Sequence, residues 1–291
     1  MEFRLITACG MGNIKLVEDI LSNNRFEGQI YMNALTKSCE YDRKEIFEYL
    51  LKYCKNNNIV MDIHMYDEYL FLLVCEKEDI DMLRYLITYC TDIGSPINIH
   101  VDNENAFRRA CSKGNINVIK FLLEYGRTIN SAINIHILDE DVTVVVCCKN
   151  NYDILKYLFE YSKKYNDIIN INTGYCRAFQ GACRENNIKI IKSIVEYGEL
   201  INNKINAMQL GYIIDNTISN KTDIIQYIVY LYKHNYIMEH SKIYIMFSEI
   251  KHSFITKKKL DKHCYVINNN YDTNIRIIKY KIERFDYIMY C

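Results

Sequence analysis

INIHVDNENAFRRACSKGNINVIKFLLEYG, residues 97–126, is the stretch on which the fold turns. It opens on alternating apolar and polar residues, runs through AFRRAC to Cys111, pauses at Gly114 and Asn115, and closes on VIKFLLEYG. In that last segment apolar residues fall at i, i+1, i+4 and i+5, which is one face of a helix. Cys111 has counterparts at Cys39, Cys75, Cys147 and Cys183, each 36 residues from the next. Tyr125 belongs to a second column with Tyr53, Tyr89, Tyr161 and Tyr197, and His100 to a third with His64 and His136. Self-similarity at a fixed period is the mark of a repeat architecture, here with a 36-residue unit.

Outward from this stretch the same phrase recurs. VIKFLL matches LVEDIL from Leu16, IFEYLL from Ile46, MLRYLI from Met82, ILKYLF from Ile154 and IIKSIV from Ile190. A shorter helix precedes each and ends in TAC, KSC, LVC, RAC, VVC or GAC, with a residue before the Cys small enough for neighbouring helices to approach closely. Gly12, Gly114, Asn13, Asn115, Asn151 and Asn187 fall in the turn between the two helices, where left-handed backbone costs Gly and Asn least. Extended polar connections such as INIHVDNEN, INIHILDED from Ile133 and ININTG from Ile169 join one pair to the next and read as short hairpin loops. Helix pairs this short cannot bury both apolar faces alone, so stability must come from stacking on the next pair.

The unit resembles the ankyrin repeat. Val118, Ile119, Leu122 and Leu123 match that family's second-helix core, Ala110 its small first-helix position, and Gly114 with Asn115 its turn. The resemblance covers residues 1–231, as six repeats and a weak seventh around 223–229, and implies an all-α, ankyrin-type helical repeat solenoid with short hairpin loops between helix pairs. Two features depart from the family pattern: strings such as AFRRAC stand where Thr-Pro-Leu-His is usual, and the period is 36 rather than about 33. The INIH and AFRRAC phrasing, with the abundance of Tyr, Asn and Ile, is similar to the large ankyrin families of giant DNA viruses such as mimivirus.

Composition narrows the function classes. Lys plus Arg and Asp plus Glu both number 36, so the whole-chain field offers no general attraction to nucleic acid or anionic membrane. No apolar run approaches the roughly 18 residues of a membrane span; the longest is 142–148. The opening MEFRLITACG has no basic segment followed by a long apolar run, so the expected compartment is a reducing one, cytoplasm or nucleus, where the 12 Cys act as small buried hydrophobes or free thiols. Catalytic and cofactor motifs are missing. ACGMGNIK carries only Gly10 and Gly12 of a phosphate loop, and there is no CxxC, HExxH or GxSxG. Equivalent residues of successive repeats stand about 8–10 Å apart. That is too far for His64, His100 and His136 to share one zinc, or for the Cys column to form disulfides. The histidines are expected to bond loop backbone and the thiols to fill the core; no cofactor, metal or small-molecule substrate is expected.

Beyond residue 231 the repeat signal fades. From Lys233 onward eleven Lys and Arg face six Asp and Glu, with three lysines at 257–259. Residues 232–291 are therefore read as a net-basic degenerate terminal repeat or helical cap. His234, His240, His252, His263 and Cys264 cluster there, at spacings that match no zinc module.

What the resemblance implies is a non-enzymatic, monomeric module that binds a host or viral protein on the concave face built by first helices and hairpins. First-helix side chains just before the small residue, Lys37, Leu73, Arg109, Val145 and Gly181, are expected to point into that face. Glu76, Ser112, Cys148 and Arg184, one position past the Cys column, join them. This set varies from repeat to repeat while the columns beside it hold constant, as expected if packing fixes one and a partner selects the other. Two alternatives are binding of nucleic acid or an acidic partner through the basic tail, and recruitment of a ubiquitin ligase. The F-box-like pattern that some poxvirus ankyrin proteins carry for the latter is not matched here.

Overall fold

The structure, a computed structural model, describes residues 1–206 and, beyond them, 224, 227–228, 231, 237–238, 265–267, 277–282 and 285–290. The 36-residue period resolves into helix pairs. They are α1 (Glu2–Met11) with α2 (Ile14–Asn23), α3 (Gly28–Glu40) with α4 (Lys44–Asn56) and α5 (Met65–Glu76) with α6 (Ile80–Asp92). α7 (Val101–Lys113) with α8 (Ile116–Thr128), α9 (Ile137–Cys148) with α10 (Tyr152–Lys164), and α11 (Thr173–Arg184) with α12 (Ile188–Leu200) follow.

The chain divides into two compact units, Met1–Ile137 and Leu138–Cys291. In the first, α1, α3, α5 and α7 pack each on the next, and so do α2, α4, α6 and α8. In the second, α12 packs on both α10 and α11, with the Phe159 and Tyr197 rings stacked at 3.9 Å between centroids. The repeats are all-α.

The columns seen in the sequence are the core. Ile46, Phe47, Leu50 and Leu51 of α4 recur as Met82, Leu83, Leu86 and Ile87 of α6 and as Val118, Ile119, Leu122 and Leu123 of α8, all buried. Cys39, Cys75, Cys111, Cys147 and Cys183 are buried on the first helices as expected. The connections contribute as well: Ile97 and Ile99, Ile133 and Ile135, and Ile169 and Ile171 turn inward while the Asn between each pair faces out. That is the period-two burial alternation, carried into the turn that opens the next helix.

The turn within each pair lies where the sequence reading places it, and its left-handed residue is the one before the N-cap of the second helix. Gly12 and Gly114 are left-handed, at φ 78° and 90°, and Asp42, Glu78, Asn150 and Asn186 take the same conformation at the equivalent position. Asn13, Asn115, Asn151 and Asn187, expected to be left-handed, have negative φ and stand at the N-caps of the second helices. Asn13 accepts the N–H of Leu16 and Asn187 that of Ile190, both at 3.1 Å, so these side chains satisfy donors that a helix start leaves open.

A feature with no precedent in the sequence reading sits at the start of three first helices. Tyr66, Asp67 and Glu68 in α5, Asp102, Asn103 and Glu104 in α7, and Leu138, Asp139 and Glu140 in α9 are all left-handed, with φ between 47° and 62°. Each such residue costs about 1–2 kcal/mol. Carbonyls of one turn are held by Arg108, which donates to Asn103 O at 2.8 Å and to Asp102 O at 3.1 Å.

Beyond residue 206, Ile224, Ile228 and Leu231 are helical and buried at the spacing expected of a seventh second helix. β1 (Ile205–Asn206) pairs in parallel with β2 (Ile237–Met238). β3 (Tyr265–Ile267), β4 (Ile277–Ile282) and β5 (Phe285–Tyr290) form an antiparallel sheet in that order. Where residues 232–291 are described they are thus strand rather than a helical cap. Ile278, Tyr280 and Ile282 alternate with Lys279 and Lys281, the strand period. The three lysines 257–259 and the tail His residues lie outside the described residues.

Candidate functional site

The residues flanking the Cys column were the candidate row. Arg109, Ser112 and Arg184 are exposed; Lys37, Leu73, Glu76, Val145 and Cys148 are half-buried. Gly181 is buried, which removes it from the expected surface. A Cβ there would stand 2.5 Å from Cys148 Sγ, so the Cys148 side chain fills the place a larger residue would take.

Within the first unit the row is laced by charge. Lys37 and Glu40 pair at 2.9 Å along α3, with the Lys37 ammonium also 4.8 Å from the Tyr41 ring centre. Glu76 at the end of α5 meets two cations of α7, pairing with Arg109 and, at 3.1 Å, with Lys113. Arg109 is further fixed by donating Nε–H to Asn105 Oδ1 at 2.8 Å. Partial burial works against the Glu76 carboxylate, but hydrogen bonds from Arg109 and Lys113 hold its pKa below the ordinary value. The hydrogen bond to Glu40 raises that of Lys37. The row therefore presents paired charges on a helix face, with Leu73 half-buried in it.

In the second unit Cys148, Gly181 and Arg184 come together. Burial pushes the Cys148 thiol up, and the Arg184 charge offsets this only in part. Deeper thiols go further: Cys9, Cys39, Cys54 and Cys90 are pushed up to about 12 by burial. Such groups stay protonated at neutral pH and are poor nucleophiles. Among the described residues no group of three or more His, Cys, Asp and Glu is placed to hold a metal, and no helix is long and apolar enough to cross a membrane.

The sequence reading expected the His rings to bond loop backbone; those of His64 and His100 meet side chains instead. His64 and His100 each contact a Glu of their own repeat and a Ser of the next connection, both through side chains. Neighbouring these contacts are the tips of the left-handed turns, where Tyr66, Asp67, Asp102, Asn103, Leu138 and Asp139 are exposed. Sequence reading missed these tips, because Tyr66 and Leu138 give no left-handed signal and Asp and Asn favour that conformation as single residues rather than in runs of three.

No protein-family model and no curated protein matches the chain. Among solved structures, the human ASB11 ankyrin repeat domain is similar, with a TM-score of 0.47 at 14% identity over 67% of this chain and 83% of that one.

Proposed function

We propose that the chain is a non-enzymatic interaction module of the ankyrin type that binds another protein through the first-helix row and the adjoining loop tips. The observation that carries this reading is the contrast within a single helix turn. Cys111 is buried and recurs in every full-length repeat, whereas its neighbour Ser112 is exposed and is replaced by Glu76, Cys148 or Arg184 at the equivalent positions. Packing explains the recurring residue, whereas at Ser112 and Arg184 the side chain of the variable position is exposed. A rigid scaffold carrying variable exposed side chains suits recognition of a folded partner. The exposed Arg109 and Arg184 are of a type enriched where binding energy concentrates.

The test is affinity capture with the full-length chain, its Ser112→Arg/Arg184→Glu variant, and a variant with lysines 257–259 changed to alanine. Both replacements in the first variant are at exposed positions, so its helical circular dichroism should match the parent. Binding at least about tenfold weaker in that variant supports the row as the contact surface. Loss of binding only in the lysine variant, together with steep salt dependence, would transfer the function to the basic tail.

A further inference from the structure

We propose that Glu68, Glu104 and Glu140 are positioning residues that wire the inter-repeat loops in series, each fixing its own left-handed turn and the loop that follows. All three are buried, with 5–6% of their surface exposed. Glu68 Oε1 accepts the backbone N–H of Asn98, thirty residues on, at 2.8 Å, and lies 2.8 Å from His64 Nδ1. Since that oxygen is already an acceptor, Nδ1–H donates to it. His64 Nε2 reaches Ser95 Oγ, in the same following loop, at 2.7 Å.

The next repeat copies the arrangement. Glu104 Oε1 takes the Asn134 N–H at 3.1 Å and His100 Nδ1 at 2.8 Å, and His100 Nε2 meets Ser131 Oγ at 2.7 Å. In the second unit Glu140 Oε1 takes the Asn170 N–H at 2.9 Å. The links join end to end, because Asn98 Oδ1 accepts the His100 N–H at 3.0 Å and Asn134 Oδ1 accepts that of His136 at 2.9 Å. One hydrogen-bonded path thus runs from His64 through Glu68, Asn98, His100, Glu104 and Asn134 to His136.

An independent observation comes from the repeat in which both the His and the Glu are replaced. Asn172 stands in the His column and Cys176 in the Glu position. The wiring survives with the acceptor moved: Asn172 Oδ1 takes the Asn206 N–H at 2.9 Å and the Cys176 thiol at 3.0 Å, while its Nδ2 donates to Asn203 Oδ1 at 2.7 Å. Asn203 holds the place that Ser95 and Ser131 hold earlier. Asp167 already replaces the Ser beside His136 and Glu140, and here all three positions differ from the first two repeats; the loop amide is still captured, which separates this role from simple filling of space.

The third left-handed residue is thereby tied down from a neighbouring loop, and a strained turn persists only where its surroundings over-determine it. Oε2 of Glu68 and Glu104 is buried and takes no hydrogen bond, so Gln at either position can keep both Oε1 contacts.

Amide hydrogen exchange on the full chain tests the wiring at Asn134. Glu104→Ala should speed exchange of the Asn134 amide by about tenfold or more, leaving Asn98, which Glu68 holds, within about threefold of the parent. Glu104→Gln should stay close to the parent. Glu104→Cys should resemble the alanine variant, and the triple change His100→Asn/Glu104→Cys/Ser131→Asn, which transplants the Asn172 arrangement, should restore protection. Unchanged exchange at Asn134 in Glu104→Ala would overturn the proposal. So would equal acceleration at Asn98 and Asn134, or a triple variant no better protected than Glu104→Cys alone. If the alanine variant fails to fold, the comparison of Glu104→Cys with the triple variant decides.

Discussion

Cys111 and Ser112 are adjacent in α7 and opposite in every other respect. One lies in a column that repeats at 36-residue intervals, is wholly buried and has its thiol pushed up by burial; the other is exposed, in a column that reads Glu40, Glu76, Ser112, Cys148 and Arg184. The same contrast separates Leu122, buried in α8, from Arg109 on the row. Under the function proposed above, the chain separates two tasks by helix face, with stacking assigned to the recurring positions and recognition left to the rest. Gly181 blurs the division, since it sits in the row by register and in the core by burial.

The largest effect should come from the recurring face. Leu122 is completely buried, and Leu122→Ala should lower stability by about 2–5 kcal/mol through lost transfer energy and the cavity left behind. Ser112→Ala should stay within about 0.5 kcal/mol. Urea unfolding of both variants measures the contrast directly, and comparable losses would abolish it. Gly181→Ala sharpens the boundary. With Cys148 Sγ 2.5 Å from the new Cβ, the change should cost about 1–3 kcal/mol, of which Cys148→Ala in the same chain should recover most. Additive effects of the two changes would place Gly181 back on the surface.

The recurring face was legible because it rests on one-dimensional information. Apolar spacing such as Val118, Ile119, Leu122 and Leu123 identifies a helix and its buried side without knowledge of the partner. The left-handed turns were not legible, because local propensity argues against them at Tyr66 or Leu138 and the stabilising contact arrives from a loop thirty residues away. One signal was available: Glu68, Glu104 and Glu140 also recur at 36 residues, each four after a His of the His64 column. The interhelix turn was located, but its Asn residues were assigned the wrong conformation for a related reason. Asn serves both as a left-handed residue and as an N-cap, and the cap bonds of Asn13 and Asn187 decide between the two. The row itself could be located by register, but its charge pairing and the burial of Gly181 depend on the next helix, which the period alone does not place in atomic detail.

The smallest expected effect lies in that pairing. Glu76 joins Arg109 and Lys113 across two helices at partly exposed positions, so solvent screening limits the contribution. A double-mutant cycle with Glu76→Gln and Arg109→Gln should give a coupling of about 0.2–1 kcal/mol at neutral pH and low salt. The folded-state pKa of Glu76 lies below its ordinary value, so the folded protein releases this proton more readily than the unfolded chain does. The coupling should therefore be fully present above the ordinary carboxylate range and disappear as pH falls through the lowered folded value. If the cycle gives the same coupling at acid and neutral pH, Glu76 acts by packing and not by charge. The row would then belong, at this position, with the columns it borders.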